Sequence, residues 1–331
     1  MTAMLRCAAS ISWKRSVADA PDALHGWLII DKPLTMGSTN VVSWVKRALR
    51  EGGYAKVKIG HGGTLDPLAT GVLPVALGEA TKLAGRMLDA SKVYDFTITF
   101  GTQTDSLDLE GQVIAKSDVR PTVAEVEAVL SRFTGPITQI PPAFSALKVD
   151  GRRAYNLARA GQDVVLEGRD VVIHSLRVSA PPREQDLTRR RGDAEGVIQD
   201  ITLTAHVSKG TYIRSLARDI ALALGTVGHV TMLRRVRAGP FGLEKAISLD
   251  ILDEAAKART LGELVLPLRT ALDDIPALAL EAGEALALRQ GRGLSGVAAP
   301  DGLHLATLAD LPVALVNVDA GTVRVERGFN L

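Results

Sequence analysis

One carboxylate, Asp66, stands in the stretch "HGGTLDPLATGVLP" (residues 61–74), between a Gly-Gly pair and Pro67, with apolar residues behind it. Two chemistries fit that setting. An aspartate directly before a proline matches a helix N-cap followed by proline in the first turn. The same carboxylate could instead serve as a nucleophile or a base. Gly62 and Gly63 would let a ligand approach the backbone, and "LATGVLPVALG" would keep water away from one side. A desolvated carboxylate needs a cation nearby to stay ionised.

The segment "SKGTYIRSLARD" offers that cation. Tyr212 and Arg214 are two residues apart, so on an extended stretch they point the same way. A guanidinium beside an aromatic ring suits a planar ligand that carries phosphate. The plainer alternative has Arg214 snorkelling from a helix and Tyr212 packed in the core. From His206 to Gly239 there are six Lys or Arg against one Asp, a basic segment of the kind that binds nucleic acid. Tyr94 could stack on a base or pack in a core. His61, five residues before Asp66, could touch phosphate, wedge beside an extruded base, or simply be hydrogen-bonded.

Several elements must position these groups. "HGWLIIDKP" reads as an apolar strand stopped by Pro33. Ser38 is placed to cap a helix over "TNVVSWVKRALREGG" that ends at Gly52 and Gly53. "KVKIGHGG" reads as a strand delivering Asp66 on the next loop. "KVYDFTITFGT" alternates, with Tyr94, Phe96, Ile98 and Phe100 on one face and Asp95, Thr97 and Thr99 on the other. "TVAEVEAVLSRFTG" carries a capping box from Thr122 to Glu125. Strands at "DVVIHSLRVS" and "GVIQDITLTAHVS" flank a charged loop. "GTYIRSLARDIALALG" has amphipathic helix spacing, and "HVTMLRRVRAGPF" reads as a basic strand. Helix and strand patterns alternate irregularly, which predicts an α+β fold and not a doubly wound parallel sheet.

With 331 residues, the chain is long enough for more than one domain. Charge divides unevenly along it. From Asp273 onward there are four Arg and no Lys against eight acidic residues, a net −4, which leaves +6 for the rest. A polyanion is therefore expected on the first four fifths. The single cysteine, Cys7, excludes a disulfide framework, and the six histidines show no metal-ligand spacing. No cofactor motif and no membrane-length apolar run is present. The first 25 residues lack the hydrophobic region of a secretory signal and read as a tail. A reducing, cytoplasmic setting is the expectation.

Taken together, "DKP", "GHGGTLDPLATGVLPVALGEATK", "KVY" and "SKGTYIRSLARD" resemble, in order and spacing from about Gly26 to Leu268, the TruB family of tRNA pseudouridine synthases. The resemblance implies a pseudouridine-synthase fold, with a central mixed, largely antiparallel sheet flanked by helices, over 26–268. An RNA-clamping insertion would occupy 141–170, and a small β-rich PUA-like domain 273–331. It implies that Asp66 is the essential catalytic residue and that Arg214 is its ion-pair partner. Tyr94 would stack on the base, Tyr212 would be a second active-site tyrosine, and Leu233 would pack beside the pocket. His61 would enter the RNA loop, and Lys82 matches a further motif position.

The reaction implied is cofactor-free isomerisation of a uridine in the T loop of tRNA, with the base flipped out of its stack. A monomer bound to the tRNA T-arm, with no obligatory protein partner, follows from the same resemblance. A guide-RNA-dependent relative, a non-catalytic RNA-binding or folding module and an aspartate-nucleophile hydrolase are the alternatives. Two features depart from the family pattern: "DKPLTMGST" displaces the usual glycine, and the segment at residues 183–196 reads as longer and more charged. Because every site motif precedes Asp273, removing the acidic C-terminal segment is expected to leave the catalytic strands intact.

Overall fold

A computed structural model describes residues 23–149, 151–179 and 196–331. The N-terminal tail up to residue 22 and nearly all of the 183–196 loop lie outside the described residues. Leu24 and His25, read as tail from the sequence, already belong to the fold. Leu24 packs on the core and His25 Nδ1 accepts from the Glu79 amide at 3.0 Å.

Nine strands form the central sheet: β1 (Gly26–Lys32), β2 (Ile59–His61), β3 (Ala69–Leu77), β4 (Lys92–Phe100), β5 (Gly135–Gln139), β6 (Arg169–Val178), β7 (Asp200–Val207), β8 (Gly228–Ala238) and β9 (Phe241–Gly242). Their order is β1-β3-β8-β4-β7-β6-β5, with β2 added on β3 and β9 on β8. Only β3 and β8 run parallel, in the register Leu233–Ala69 to Arg235–Gly71. The mixed, largely antiparallel α+β architecture expected from the sequence is the one observed.

That parallel pair matters for the site, because it sets Leu233 and Arg235 beside the start of β3. Gly71 makes the close approach possible. Its φ of +100° lies in the left-handed region, and a Cβ there would collide with the Arg235 backbone carbonyl.

Alternation along β4 divides the sheet's two sides. Phe96, Ile98 and Phe100 are buried beneath α2 (Val123–Leu130) and α3 (Ile213–Ala223). On the other face the hydroxyls of Thr97 and Thr202 pair at 2.9 Å, and Asp95 accepts from Thr204 at 2.7 Å. The capping box at Thr122 and Glu125 forms as the sequence predicts. On the Tyr94 side, α1 (Ser38–Glu51) and α4 (Leu249–Ala258) pack over β1 and β3.

The 141–170 segment holds a small hairpin, Lys148–Val149 with Arg152–Arg153, followed by one short helix, Ala154–Arg159. The C-terminal residues form a five-stranded sheet, in agreement with the small β-domain expected from the sequence. It is not an appendage, however. Leu305, Leu315 and Phe329 share one apolar cluster with Trp27, Ile29, Val72 and Phe241 of the central sheet. Lys82 reinforces the junction by donating to the Gly328 carbonyl at 2.8 Å and pairing with Glu79 at 2.6 Å. Glu79 in turn accepts from the Asn330 amide at 2.8 Å. Lys82 is therefore committed to inter-sheet contacts. The shared cluster argues against the expectation that the C-terminal segment can be removed without disturbing the catalytic strands, because its apolar residues pack into their core.

Candidate active site

No helix follows Asp66. The Ala69 amide donates to the Asp66 carbonyl at 3.0 Å, closing a turn whose second residue is Pro67, and the chain then enters β3. The capping reading of Asp66 therefore falls away, since there is no helix to cap.

Three side chains fix the backbone around this turn. Ser38, expected to cap α1, does not; Gly37 is the N-cap residue. The Ser38 hydroxyl instead accepts from the Leu65 amide at 2.8 Å and donates to the Leu65 carbonyl at 3.1 Å. Buried Arg235 donates to Gly63 O at 3.1 Å, Thr64 O at 3.3 Å and Val72 O at 2.7 Å. The Lys32 ammonium, from the "DKP" motif, donates to Pro67 O at 3.1 Å, Pro33 O at 3.0 Å and Met36 O at 2.6 Å. Backbone carbonyls that a loop would otherwise leave to water are thus paired with side chains from three separate elements.

Arg214 is the partner of Asp66. Its Nη2 lies 2.9 Å from Asp66 Oδ2, with the arginine side chain 6% exposed and the aspartate 40%. The guanidinium is held on its other edges as well. Nη1 pairs with Asp108 Oδ2 at 3.3 Å and donates to Ser106 O at 2.7 Å, and Nη2 donates to Phe144 O at 2.9 Å. Asp108 is itself fixed, accepting from Ser106 Oγ at 2.6 Å and the Glu110 amide at 3.0 Å. A buried guanidinium between two carboxylates and two carbonyls has no freedom to swing, so it orients Asp66 as well as neutralising it. Asp66 Oδ1 has no partner among the described residues.

The carboxylate lines a cleft of about 230 Å³ together with Tyr94, Tyr212, Leu233, Arg214 and Lys92. Tyr212 and Arg214 do converge there, though not on an extended stretch. Tyr212 is the extended N-cap residue of α3 and Arg214 lies in its first turn. The Tyr212 backbone is gripped by the buried Gln139 amide, which accepts from its N–H at 3.0 Å and donates to its carbonyl at 3.3 Å. Burial raises the Tyr212 phenol above its usual value, so it stays protonated and can donate in the cleft. Lys92 Nζ is turned to the carbonyls of Met87, Leu88 and Ala90. Burial lowers both Lys32 and Lys92 to about 8.

His61 does not line this cleft. It ends β2 opposite Val75, with Nδ1 buried and without a partner among the described residues. Burial first, and the charge of Arg235 second, lower its pKa. An imidazole so placed is neutral near pH 7 and offers no charge to a phosphate.

The basic segment from His206 to Gly239 is also used differently from the sequence expectation. Arg214 and Arg235 are buried, and Arg234 pairs with Asp31 through two bonds of 3.1 and 2.7 Å. Arg218 pairs with Asp219, and Lys209 with Asp89. Two of its six cations are thus buried and three more are paired with carboxylates, while Lys209 and Arg237 remain exposed.

Sequence reasoning missed Asp108, Ser106, Gln139 and Arg235. Asp108 lies in "TDSLDLEG", whose polar residues read as an ordinary turn, and nothing in its spacing links it to Arg214. Arg235 sits in a strand whose basic residues look alike until burial separates them. Among the described residues there is no group of three His, Cys, Asp or Glu that could hold a metal ion.

A profile described as TruB family pseudouridylate synthase (N terminal domain) matches residues 49–213. A second, tRNA pseudouridylate synthase B C-terminal domain, matches residues 214–273. The chain is 60% identical over 308 residues to tRNA pseudouridine synthase B of Novosphingobium aromaticivorans, covering 93% of this chain and 98% of that protein. It is 56% identical to the protein of the same name from Zymomonas mobilis, covering 93% and 97%. Among solved structures, an H/ACA ribonucleoprotein bound to a substrate RNA containing 2′-deoxyuridine superposes with a TM-score of 0.66 at 26% identity, over 93% of this chain and 86% of that one. Both family profiles meet within the Tyr212–Arg214 segment that closes the cleft, and relatives of nearly full length share more than half of its residues; the chain belongs to the TruB family of pseudouridylate synthases.

Proposed function

We propose that the protein isomerises uridine to pseudouridine at position 55 in the T loop of tRNA, acting alone and without a cofactor. The ion pair of Asp66 with Arg214 on the floor of a cleft lined by Tyr94, Tyr212 and Leu233 is the observation that carries this reading. A uridine in a folded loop must leave its stack to reach that floor. Tyr94 and Leu233 offer flat and apolar surfaces for the extruded base, and the protonated Tyr212 hydroxyl offers a donor.

In the reaction the bond from ribose C1′ to N1 breaks, the uracil turns, and C5 bonds to C1′ while the C5 proton is released and N1 gains one. Atoms and electrons balance within the nucleotide, with no external reductant or group donor. Asp66 is the reagent: Arg214 holds Oδ2, and Oδ1 is left for the reacting nucleotide. Near-full-length relatives named as tRNA pseudouridine synthase B support tRNA as the substrate. We infer a cytoplasmic monomer; no helix among the described residues is long and apolar enough to cross a membrane. In this reading the 273–331 region is PUA-like and the 141–170 segment clamps RNA.

The test is incubation of purified protein with an unmodified tRNA transcript, followed by mapping of pseudouridine. Modification at one T-loop uridine without guide RNA or added protein supports the reading. A requirement for a guide RNA and partner proteins would favour the guide-dependent alternative.

A further inference from the structure

Most of the 206–239 cations are buried or paired with carboxylates, whereas a second cationic surface on the fold is largely free of such partners. A groove of about 620 Å³ lies between the C-terminal half of α1 and the segment leading into β2. Lys46, Arg50, Lys56 and Lys58 rim it, and no acidic residue lines it. Lys46 and Arg50 are one helical turn apart on α1, and Lys56 and Lys58 lie in the irregular segment that leads into β2, so the groove is rimmed by cations from both sides. All four are exposed. Among the described residues the three lysines have no carboxylate within ion-pair distance, and Arg50 has only Glu51 at 4.0 Å.

The groove also has a fixed relation to the cleft. Its apolar floor, Leu49, Tyr54, Val57 and Ile59, belongs to the same hydrophobic cluster as Leu65, Tyr94 and Leu233. Groove and cleft are therefore built over the same side of the central sheet. The chain runs from the groove through β2 and His61 to Gly63 and Thr64, which line the cleft. A separate groove mixes Arg86, Arg177 and Arg237 with Asp89, Asp273 and Asp274, so it lacks a single sign of charge.

We propose that the Lys46–Arg50–Lys56–Lys58 groove binds the phosphate backbone of the helical RNA stem whose loop occupies the Asp66 cleft. This rests on the proposed function and adds a second, sequence-independent contact to it. Unpaired cations converging from two elements suit closely spaced phosphates, and each phosphate neutralised releases counterions. The exposed rim makes no base-reading arrangement, so the contact fixes position along the stem and not sequence.

The test uses the full chain carrying Lys56→Glu and Lys58→Glu, with Lys56→Gln and Lys58→Gln as a milder pair should the first fail to fold. Affinity is measured by fluorescence anisotropy across salt, on a T-arm hairpin and on a hairpin with the same loop and a shortened stem. Turnover is measured at saturating RNA. The expected result is a loss of about tenfold or more in affinity for the full hairpin, and a salt slope smaller by about one per cation removed. Turnover of bound RNA should be unchanged, and the variant should bind the short-stem hairpin as the unaltered protein does. Unchanged affinity and salt slope, or an equal loss on both hairpins, would overturn the proposal. Absence of pseudouridine with the unaltered protein would instead count against the proposed function, so the two failures are distinguishable.

Discussion

Arg214 Nη2 stands 2.9 Å from Asp66 Oδ2, and the same guanidinium reaches Asp108 through Nη1 at 3.3 Å. Asp66 is thereby tied to a residue more than forty positions away that never lines the 230 Å³ cleft. Arg214→Lys would keep the charge but lose the fork that spans both carboxylates. Single-turnover kinetics should show a rate loss on the order of 100-fold, with RNA affinity changed little. A loss confined to affinity would reassign Arg214 to phosphate binding.

Ser38 should behave as a positioning residue. Replacing it with alanine removes both bonds to Leu65 and leaves a buried amide unpaired, at roughly 1–3 kcal/mol of stability. Because Leu65 directly precedes Asp66, kcat should fall while KM stays near its original value. Ser38→Thr should restore part of both. Urea unfolding together with steady-state kinetics on the three proteins checks this, and a change in KM alone would contradict it.

Alkaline stability follows from the two buried lysines. Lys32 and Lys92 are lowered to about 8 by burial, whereas an unfolded lysine holds its proton up to 10.5. Between those values the unfolded chain binds more protons than the folded one, so stability contributed by these groups rises with pH. The slope approaches ~1.4 kcal/mol per pH unit for each lysine. Lys92→Met should lose its share. The difference in unfolding free energy between the unaltered protein and the variant should therefore move in favour of the unaltered protein from pH 8 towards 10. A constant difference would mean that Lys92 does not titrate there.

The C-terminal sheet should support the catalytic sheet through its core. Phe329 is buried at 1% exposure among Trp27, Ile29 and Phe241. Phe329→Ala should cost about 3–5 kcal/mol in chemical denaturation while leaving the single-turnover rate of folded protein unchanged. A variant as stable as the original would show that the two sheets are energetically independent.

Much of this organisation was legible in the sequence because it is local. The alternation in β4, the Thr122 capping box and the Tyr212–Arg214 helix start depend on neighbours within a few residues. So does the placing of Asp66 on a loop between two strands. The capping alternative for Asp66 and the cap expected at Ser38 both fell away because tertiary partners took over those polar groups. Asp108 and Arg235 were invisible for the same reason: their roles exist only once distant carbonyls and carboxylates meet. The basic 206–239 segment misled because charge read along a chain does not say which side chains are buried.

Asp66 as the reacting carboxylate is the centre of this account. The most direct measurement compares the unaltered protein with Asp66→Asn on an unmodified tRNA transcript, following pseudouridine at single turnover and RNA affinity in parallel. Asparagine keeps the side chain's size and a carbonyl oxygen facing Arg214, but it is neither nucleophile nor base. The account predicts one pseudouridine in the T loop for the unaltered protein, and bound but unconverted RNA for the variant. Conversion by Asp66→Asn at even a few per cent of the original rate, with deamidation excluded, would contradict it.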